Sequence, residues 1–219
     1  MSQLAPSILS ADFNRLGSQI KVLEQKGIKV LHVDVMDGMF VPSISFGMPV
    51  IESIRKESSL FFDLHLMVHE PLRYIKQFVK AGADSITVHV EACEDLDKTL
   101  GAIKEAGAEC AVAVNPETPV SSIVPYLDKV DMALVMSVHP GFGGQKLIAE
   151  TLDKVQELAR LRKEKGLAFS IEIDGGVNQE NIREIAMTGT DIIVAGTAVF
   201  KGEISDNIDR LREVITNAS

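Results

Sequence analysis

This sequence predicts an α/β fold, a single (β/α)₈ barrel around a parallel eight-stranded core, on three observations. Eight short apolar, β-branched runs alternate with longer stretches of helical period. The ends of successive runs lie roughly 22 to 37 residues apart, room for one crossover helix each. No composition break and no Pro/Gly/Ser-rich linker divides the chain, so residues 1–219 read as one domain. Strands alternating with helices form a parallel sheet covered on both faces. Eight such units in 219 residues fit a closed TIM barrel. An open doubly wound sheet is the rival, but the G-x-G-x-x-G turn expected after its first strand is not found.

The eight strands are read at 4–9, 30–35, 61–66, 85–90, 111–114, 132–136, 170–173 and 191–195. The helices between them carry their own signals. Ile148, Leu152, Val155, Leu158 and Ala159 form one apolar stripe, with Glu150, Asp153, Lys154 and Glu157 off it. Thr118-Pro119 reads as an N-cap followed by Pro at the first helical position, and Asn178 as the N-cap of a helix over 179–187. Gly27, Gly82, Gly107, Gly166 and Gly189 each stand where a helix should stop, shortly before a strand. A terminal helix over 204–217, with Ile208, Leu211, Val214 and Ile215 on one side, would close the outer ring.

Composition excludes several functions. With 22 basic and 31 acidic residues the net charge is −9, and no long basic run is present, which argues against nucleic acid as a partner. No apolar stretch approaches the roughly 18 residues of a membrane span. The N-terminal residues show neither the basic nor the apolar region of a signal peptide. Cys93 and Cys110 make no disulfide framework and read as reduced thiols, so a cytoplasmic location is expected. At 5% aromatic with no Trp, the chain lacks the material for a stacking platform.

In a barrel of this kind chemistry sits at the C-terminal strand ends. Those ends carry Ser7 and Ser10, His32 and Asp34, His65, His89 and Glu91, Asn115, Ser137, Asp174, and Gly196-Thr197. His32 and Asp34 are two apart on one strand and so point the same way, while Val33 and Val35 point to the helices. With that phase His32 and Asp34 face the axis, His65 is their neighbour on the next strand, and Asp174 lies across the mouth. Two imidazoles and two carboxylates converging there make a mixed N/O coordination sphere suited to Zn²⁺, Mn²⁺, Fe²⁺ or Co²⁺. Glycines in the loops after strands six, seven and eight (Gly141, Gly143 and Gly144; Gly175 and Gly176; Gly196 beside Thr197) let backbone N–H groups approach a phosphate. Met36, Met67 and Met136 sit at or just past strand ends and would form an apolar collar that excludes water. The loop 139–146 reads as a lid.

At these residues the sequence strongly resembles the ribulose-phosphate 3-epimerases. The resemblance runs almost end to end: APSILSAD at 5–12, HVDVMDG at 32–38, FVP at 40–42, DLHLM at 63–67, TVHVEA at 87–92, NPETP at 115–119, VMSV at 135–138, PGFGGQ at 140–145, DGGV at 174–177 and GTAVF at 196–200. It departs at Met39, His139 and Thr197, where the family pattern has His, Asn and Ser. The resemblance implies one divalent metal ion per subunit, zinc first with iron, manganese or cobalt as alternatives, bound by His32, Asp34, His65 and Asp174. It implies that Asp34 and Asp174 are also the acid/base pair. The implied reaction inverts C3 of D-ribulose 5-phosphate to give D-xylulose 5-phosphate in the pentose phosphate pathway. The implied substrate contacts are Ser7, His65, Asp174, the three methionines, the loop glycines and Thr197, and a homo-oligomer is expected. Two alternatives stand beside this: a 3-epimerase of a six-carbon ketose phosphate such as D-allulose 6-phosphate, and a non-catalytic sugar-phosphate-binding protein. A Schiff-base aldolase would need a Lys at a strand end, and none is there.

Overall fold

The computed structural model describes residues 2–218. Its eight parallel strands are β1 (Gln3–Pro6), β2 (Val30–Met36), β3 (Phe61–Met67), β4 (Ser85–His89), β5 (Glu109–Val114), β6 (Met132–Met136), β7 (Ser170–Asp174) and β8 (Ile192–Ala195). They pair in the order β1-β8-β7-β6-β5-β4-β3-β2. A parallel bridge between Ser7 and His32 brings the two outer strands together and rounds the sheet into a barrel. The helices are α1 (Leu16–Gln25), α2 (Met48–Arg55), α3 (Ile75–Ala81), α4 (Leu96–Ala106), α5 (Thr151–Lys165), α6 (Ile182–Ala186), α7 (Thr197–Phe200) and α8 (Ile204–Thr216). No helix among the described residues is long and apolar enough to cross a membrane.

The two faces of each strand do different work, because successive side chains alternate. Val33 and Val35 of β2, Leu64 and Leu66 of β3, Val112 and Val114 of β5, and Ile171 and Ile173 of β7 point outward into one continuous aliphatic core beneath the helices. Each is almost entirely shielded from water, and this layer supplies the hydrophobic free energy of the fold. The opposite faces fill the barrel. Toward its N-terminal end Ala5, Val30 and Val194 form a small apolar plug. Above it the interior turns polar, with His32, Asp63, Thr87 and Glu172 all buried.

The strands lie within a few residues of the expected positions, with one informative shift. Strand 1 stops at Pro6 instead of residue 9, and Ile8–Ser10 forms a 3₁₀ turn. Ser7 caps that turn by accepting a hydrogen bond from the Leu9 N–H, so its side chain turns into the barrel mouth.

The helix expected after Thr118-Pro119 does not form. The crossover from β5 to β6 consists instead of two 3₁₀ turns, Val120–Ser122 and Val124–Tyr126. Pro119 is extended (φ −70°, ψ 152°) and precedes the first turn instead of opening a helix. Pro125 lacks the N–H an α-helix would use there and would clash with the previous turn. Lys154 on α5 ties this crossover down. Its Nζ donates to the carbonyls of Asn115 (2.9 Å), Pro116 (2.6 Å) and Thr118 (2.6 Å). The helix expected over 179–187 is shorter, Ile182–Ala186. Asn178 still caps, but it caps the preceding turn, its Oδ1 accepting from the N–H groups of Glu180 (2.8 Å) and Asn181 (3.2 Å).

Candidate active site

Register brings the four proposed ligands to one level. Asp34 of β2 is the Cα partner of His65 on β3, and Asp174 closes β7. His32 turns its Nε2 toward Asp34 Oδ1 (3.3 Å) and Asp174 Oδ2 (3.8 Å). His65 turns its Nδ1 toward the same two oxygens, at 3.2 and 3.5 Å. One ligand atom from each of the four residues lies within 4.8 Å of the other three. His32 Nε2 is fully buried and has no hydrogen-bond partner among the described residues. A buried ring nitrogen left unpartnered among carboxylate oxygens is what a divalent cation would satisfy. Two nitrogens and two oxygens at this spacing fit such an ion.

The surroundings hold each group in place. Ser7 donates its hydroxyl to Asp34 Oδ2 at 2.5 Å. The backbone carbonyl of Asp174 accepts from Ser137, both from its N–H (2.8 Å) and from its Oγ (3.0 Å), which pins the end of β7 to β6. His32 Nδ1 lies 2.8 Å from Asp63 Oδ2 and 3.4 Å from Glu172 Oε1. His65 Nε2 lies 2.8 Å from His89 Nε2, and His89 Nδ1 lies 3.2 Å from Glu91 Oε2.

Burial and charge compete over these groups. Burial pushes His32 down, but Asp34 and Glu172 outweigh it and hold the ring well above its usual value. Burial likewise opposes charge on His65, yet its hydrogen bonds to Asp174 and Asp34 raise it to about 9. Burial would raise Asp34, but the two imidazolium charges hold its carboxyl far below the usual carboxylate range. Glu172 goes the other way: burial and the neighbouring Asp63 push it up to about 8.

Above this cluster opens a cavity of about 600 Å³, bordered by Asp34 and Asp174 and by Ser7, Met36, Met67 and Met136. Each of the three methionines is at most 4% exposed. Gly141, Gly143, Gly144, Gly175, Gly176, Gly196 and Thr197 line the remaining wall. Several of these glycines leave no room for a side chain. A Cβ on Gly176 would lie 2.3 Å from the Leu147 nitrogen, and one on Gly196 would lie 2.5 Å from Ser10 Oγ. The loop 139–146 is tied to itself by Gln145, whose Nε2 donates to the carbonyls of His139 (2.7 Å) and Phe142 (2.8 Å). His139 Nδ1 also lies 3.2 Å from Glu117 Oε1 on the neighbouring β5 loop.

One expected substrate contact falls outside this wall. His65 is fully buried beneath Asp34 and Asp174 and does not border the cavity, because its ring is held between those carboxylates and His89. Asp63 and Glu172 were not anticipated as part of the site. They occupy the same interior face as His65 and Asp174, two residues earlier on β3 and β7, so strand alternation would have found them. Ser10 and Lys201 also border the cavity. The Ser10 hydroxyl lies 3.4 Å from that of Thr197, joining the first and last βα loops.

Residues 3–200 match the family model described as the ribulose-phosphate 3 epimerase family. The ribulose-phosphate 3-epimerase of Bacillus subtilis (strain 168) is 48% identical over 201 residues, covering 91% of this chain and 93% of that protein. That of Escherichia coli (strain K12) is 44% identical over 218 residues, covering 99% of this chain and 97% of that one. Among solved structures, 3-keto-L-gulonate-6-phosphate decarboxylase from Vibrio cholerae shares the fold, with a TM-score of 0.72 at 17% identity over 100% of this chain and 98% of that one. With the match extending over nearly the whole barrel, the chain belongs to the ribulose-phosphate 3-epimerase family.

Proposed function

We propose that this enzyme inverts C3 of D-ribulose 5-phosphate to give D-xylulose 5-phosphate, with Asp34 and Asp174 as the two proton-transfer groups. The observation that carries the reading is that both carboxylates border one cavity from different strands while sharing two buried histidines. The C3 proton lies α to the C2 ketone, so its removal gives an enediolate. Inversion then requires a base on one face of C3 and an acid on the other, and general acid–base catalysis contributes roughly 10²- to 10⁴-fold. His32, Asp34, His65 and Asp174 would hold a divalent metal ion, zinc first, which supplies Lewis-acid stabilisation of developing negative charge. Ser7, by its bond to Asp34 Oδ2, orients that carboxylate. Met36, Met67 and Met136 exclude water around the reacting carbon, which strengthens the electrostatics there.

The glycine-rich wall is suited to the phosphate, because the glycines lining the cavity put no side chain between their backbone N–H groups and an anion there. This also explains how a chain of net charge −9 takes an anionic substrate without an arginine cluster. The whole of residues 1–219 acts as one domain in this reading. The free Cys93 and Cys110 suit a cytoplasmic enzyme, and a homo-oligomer is expected in sedimentation.

The test is incubation of metal-assayed protein with ribulose 5-phosphate and, separately, allulose 6-phosphate in D₂O. Deuterium at C3 with appearance of the epimer is expected for the five-carbon substrate. Faster turnover of the six-carbon one reassigns the substrate, and binding without exchange in either reduces the protein to a sugar-phosphate binder.

A further inference from the structure

His65 meets the carboxylates with Nδ1 and so needs its proton on Nε2 if Nδ1 is to offer a lone pair. What fixes that choice is a chain of hydrogen bonds running away from the site. It begins at the backbone. The N–H of Asn115, on the β5 loop, can only donate, and it donates to Glu91 Oε1 at 2.8 Å. Glu91 Oε2 faces His89 Nδ1 at 3.2 Å, and a carboxylate there accepts, so His89 donates from Nδ1. The ring of His89 is completely buried, where an imidazolium would be costly to desolvate, and of the two Nε2 atoms of His89 and His65, 2.8 Å apart, one must accept. A neutral ring that donates from Nδ1 accepts at Nε2. His65 Nε2 lies 2.8 Å away, so it is the donor, and its Nδ1 is left facing Asp34 and Asp174. Phe40 packs against the His89 ring with centroids 4.9 Å apart, and the His65 ring lies edge to edge with it, centroids 4.9 Å apart and planes 24° apart, which keeps the relay in line.

We propose that His89 and Glu91 are positioning residues that select the ring tautomer of His65, leaving its Nδ1 free to ligate a divalent cation. The proposal rests on the metal reading of the site given above. The two histidines thus use opposite ring nitrogens and different supports: His32 is backed directly by Asp63, and His65 through a second imidazole by Glu91.

Glu91→Gln tests this with little change of shape. The Asn115 N–H claims the amide oxygen, so the amide NH₂ faces His89 Nδ1, which must then accept. The proton of His89 moves to Nε2, so His65 must accept at its own Nε2 and keeps its ring proton on Nδ1, the nitrogen a cation would need. Two measurements are made on metal-stripped full-length protein. Nitrogen-15 NMR of the histidine rings at neutral pH reads which nitrogen of His89 carries the proton. Titration with Co²⁺ alone, followed by absorption, reads affinity. The expected result is a proton on Nδ1 of His89 in the wild type, on Nε2 in Glu91→Gln, and Co²⁺ binding about 10- to 100-fold weaker in the variant. Wild-type His89 protonated on Nε2, or unchanged Co²⁺ affinity in a variant whose tautomer has switched, overturns the proposal. The wild-type spectrum decides the relay even if the variant fails to fold. If wild-type protein binds no Co²⁺, the metal reading fails and the ligand role of the relay falls with it. The ring shifts then show whether the hydrogen-bond chain itself was read correctly.

Discussion

Replacing Gly176 by Ala isolates what the crowded cavity wall contributes, because the molecule contains a matched control. Gly176 and Gly166 have nearly the same left-handed backbone, φ +67° and +63°. A Cβ on Gly166, at the end of α5, meets nothing within 4 Å among the described residues. A Cβ on Gly176 lies 2.3 Å from the backbone nitrogen and 2.6 Å from the Cα of Leu147, just after the loop 139–146. Both substitutions carry the cost of an L-residue in the left-handed region, about 1–2 kcal/mol. Gly176→Ala adds an overlap with backbone that only a movement of about 1 Å relieves, an overpacking cost of about 1–3 kcal/mol. The expected loss in urea unfolding is therefore about 1–2 kcal/mol for Gly166→Ala and about 2–5 kcal/mol for Gly176→Ala. The same displacement separates the β6 and β7 loops that frame the proposed phosphate position. An ångström of misplacement costs roughly 10²-fold in rate, so kcat/KM for epimerisation should fall by about that factor in Gly176→Ala and stay unchanged in Gly166→Ala. Equal stability losses in the two variants, with wild-type kcat/KM in both, would refute the reasoning.

Other consequences can be checked directly. Asp34→Asn and Asp174→Asn should each abolish exchange of the C3 proton with solvent while circular dichroism stays that of the barrel; near-normal exchange in either removes it from the acid/base pair. In metal-free protein His65 titrates near 9 and His32 well above its usual value, both over the unfolded 6.5. The stability their protons contribute is therefore full below pH 6.5 and lost as the pH rises through 9, which a Tm series on metal-stripped protein will show. For the same reason metal uptake at neutral pH should release protons; calorimetry in buffers of different ionisation enthalpy detects this, and a buffer-independent heat contradicts it. Lys154→Met deprives three carbonyls of a charged donor and should cost about 1.5–3 kcal/mol in urea unfolding, a loss within 0.5 kcal/mol of zero showing that the β5–β6 crossover holds without it.

Much of this site was legible because strand alternation is a strict period. His32 and Asp34 share a face for that reason alone, and adjacency of β2 and β3 then delivers His65. The same period, carried two residues further down β3 and β7, leads to Asp63 and Glu172; attention to strand ends alone passes over them. The crossover after β5 was misread because Thr-Pro fits both a helix start and an extended approach to a 3₁₀ turn. What decided between them, Pro125 and the three carbonyls gathered by Lys154, is partly a tertiary contact with no local signature. The placement of His65 beneath the cavity floor was likewise invisible, since it depends on which ring nitrogen finds His89.

The polar layer inside the barrel sets the protein's capacity for improvement. Among the described residues, Glu172 keeps both carboxyl oxygens without a hydrogen-bond partner, and Asp63 Oδ1 and Thr87 Oγ1 are buried and unpartnered as well. Unpaired buried groups of this kind each cost about 1–3 kcal/mol, which the aliphatic shell beneath the helices offsets. Cohesion and chemistry therefore reside on opposite faces of the same strands. An engineer selecting only for heat resistance should see substitutions accumulate on the inward face, Glu172 first, and turnover decline with them. Selection on the outward face leaves turnover intact but starts from a shell already packed, with little left to gain.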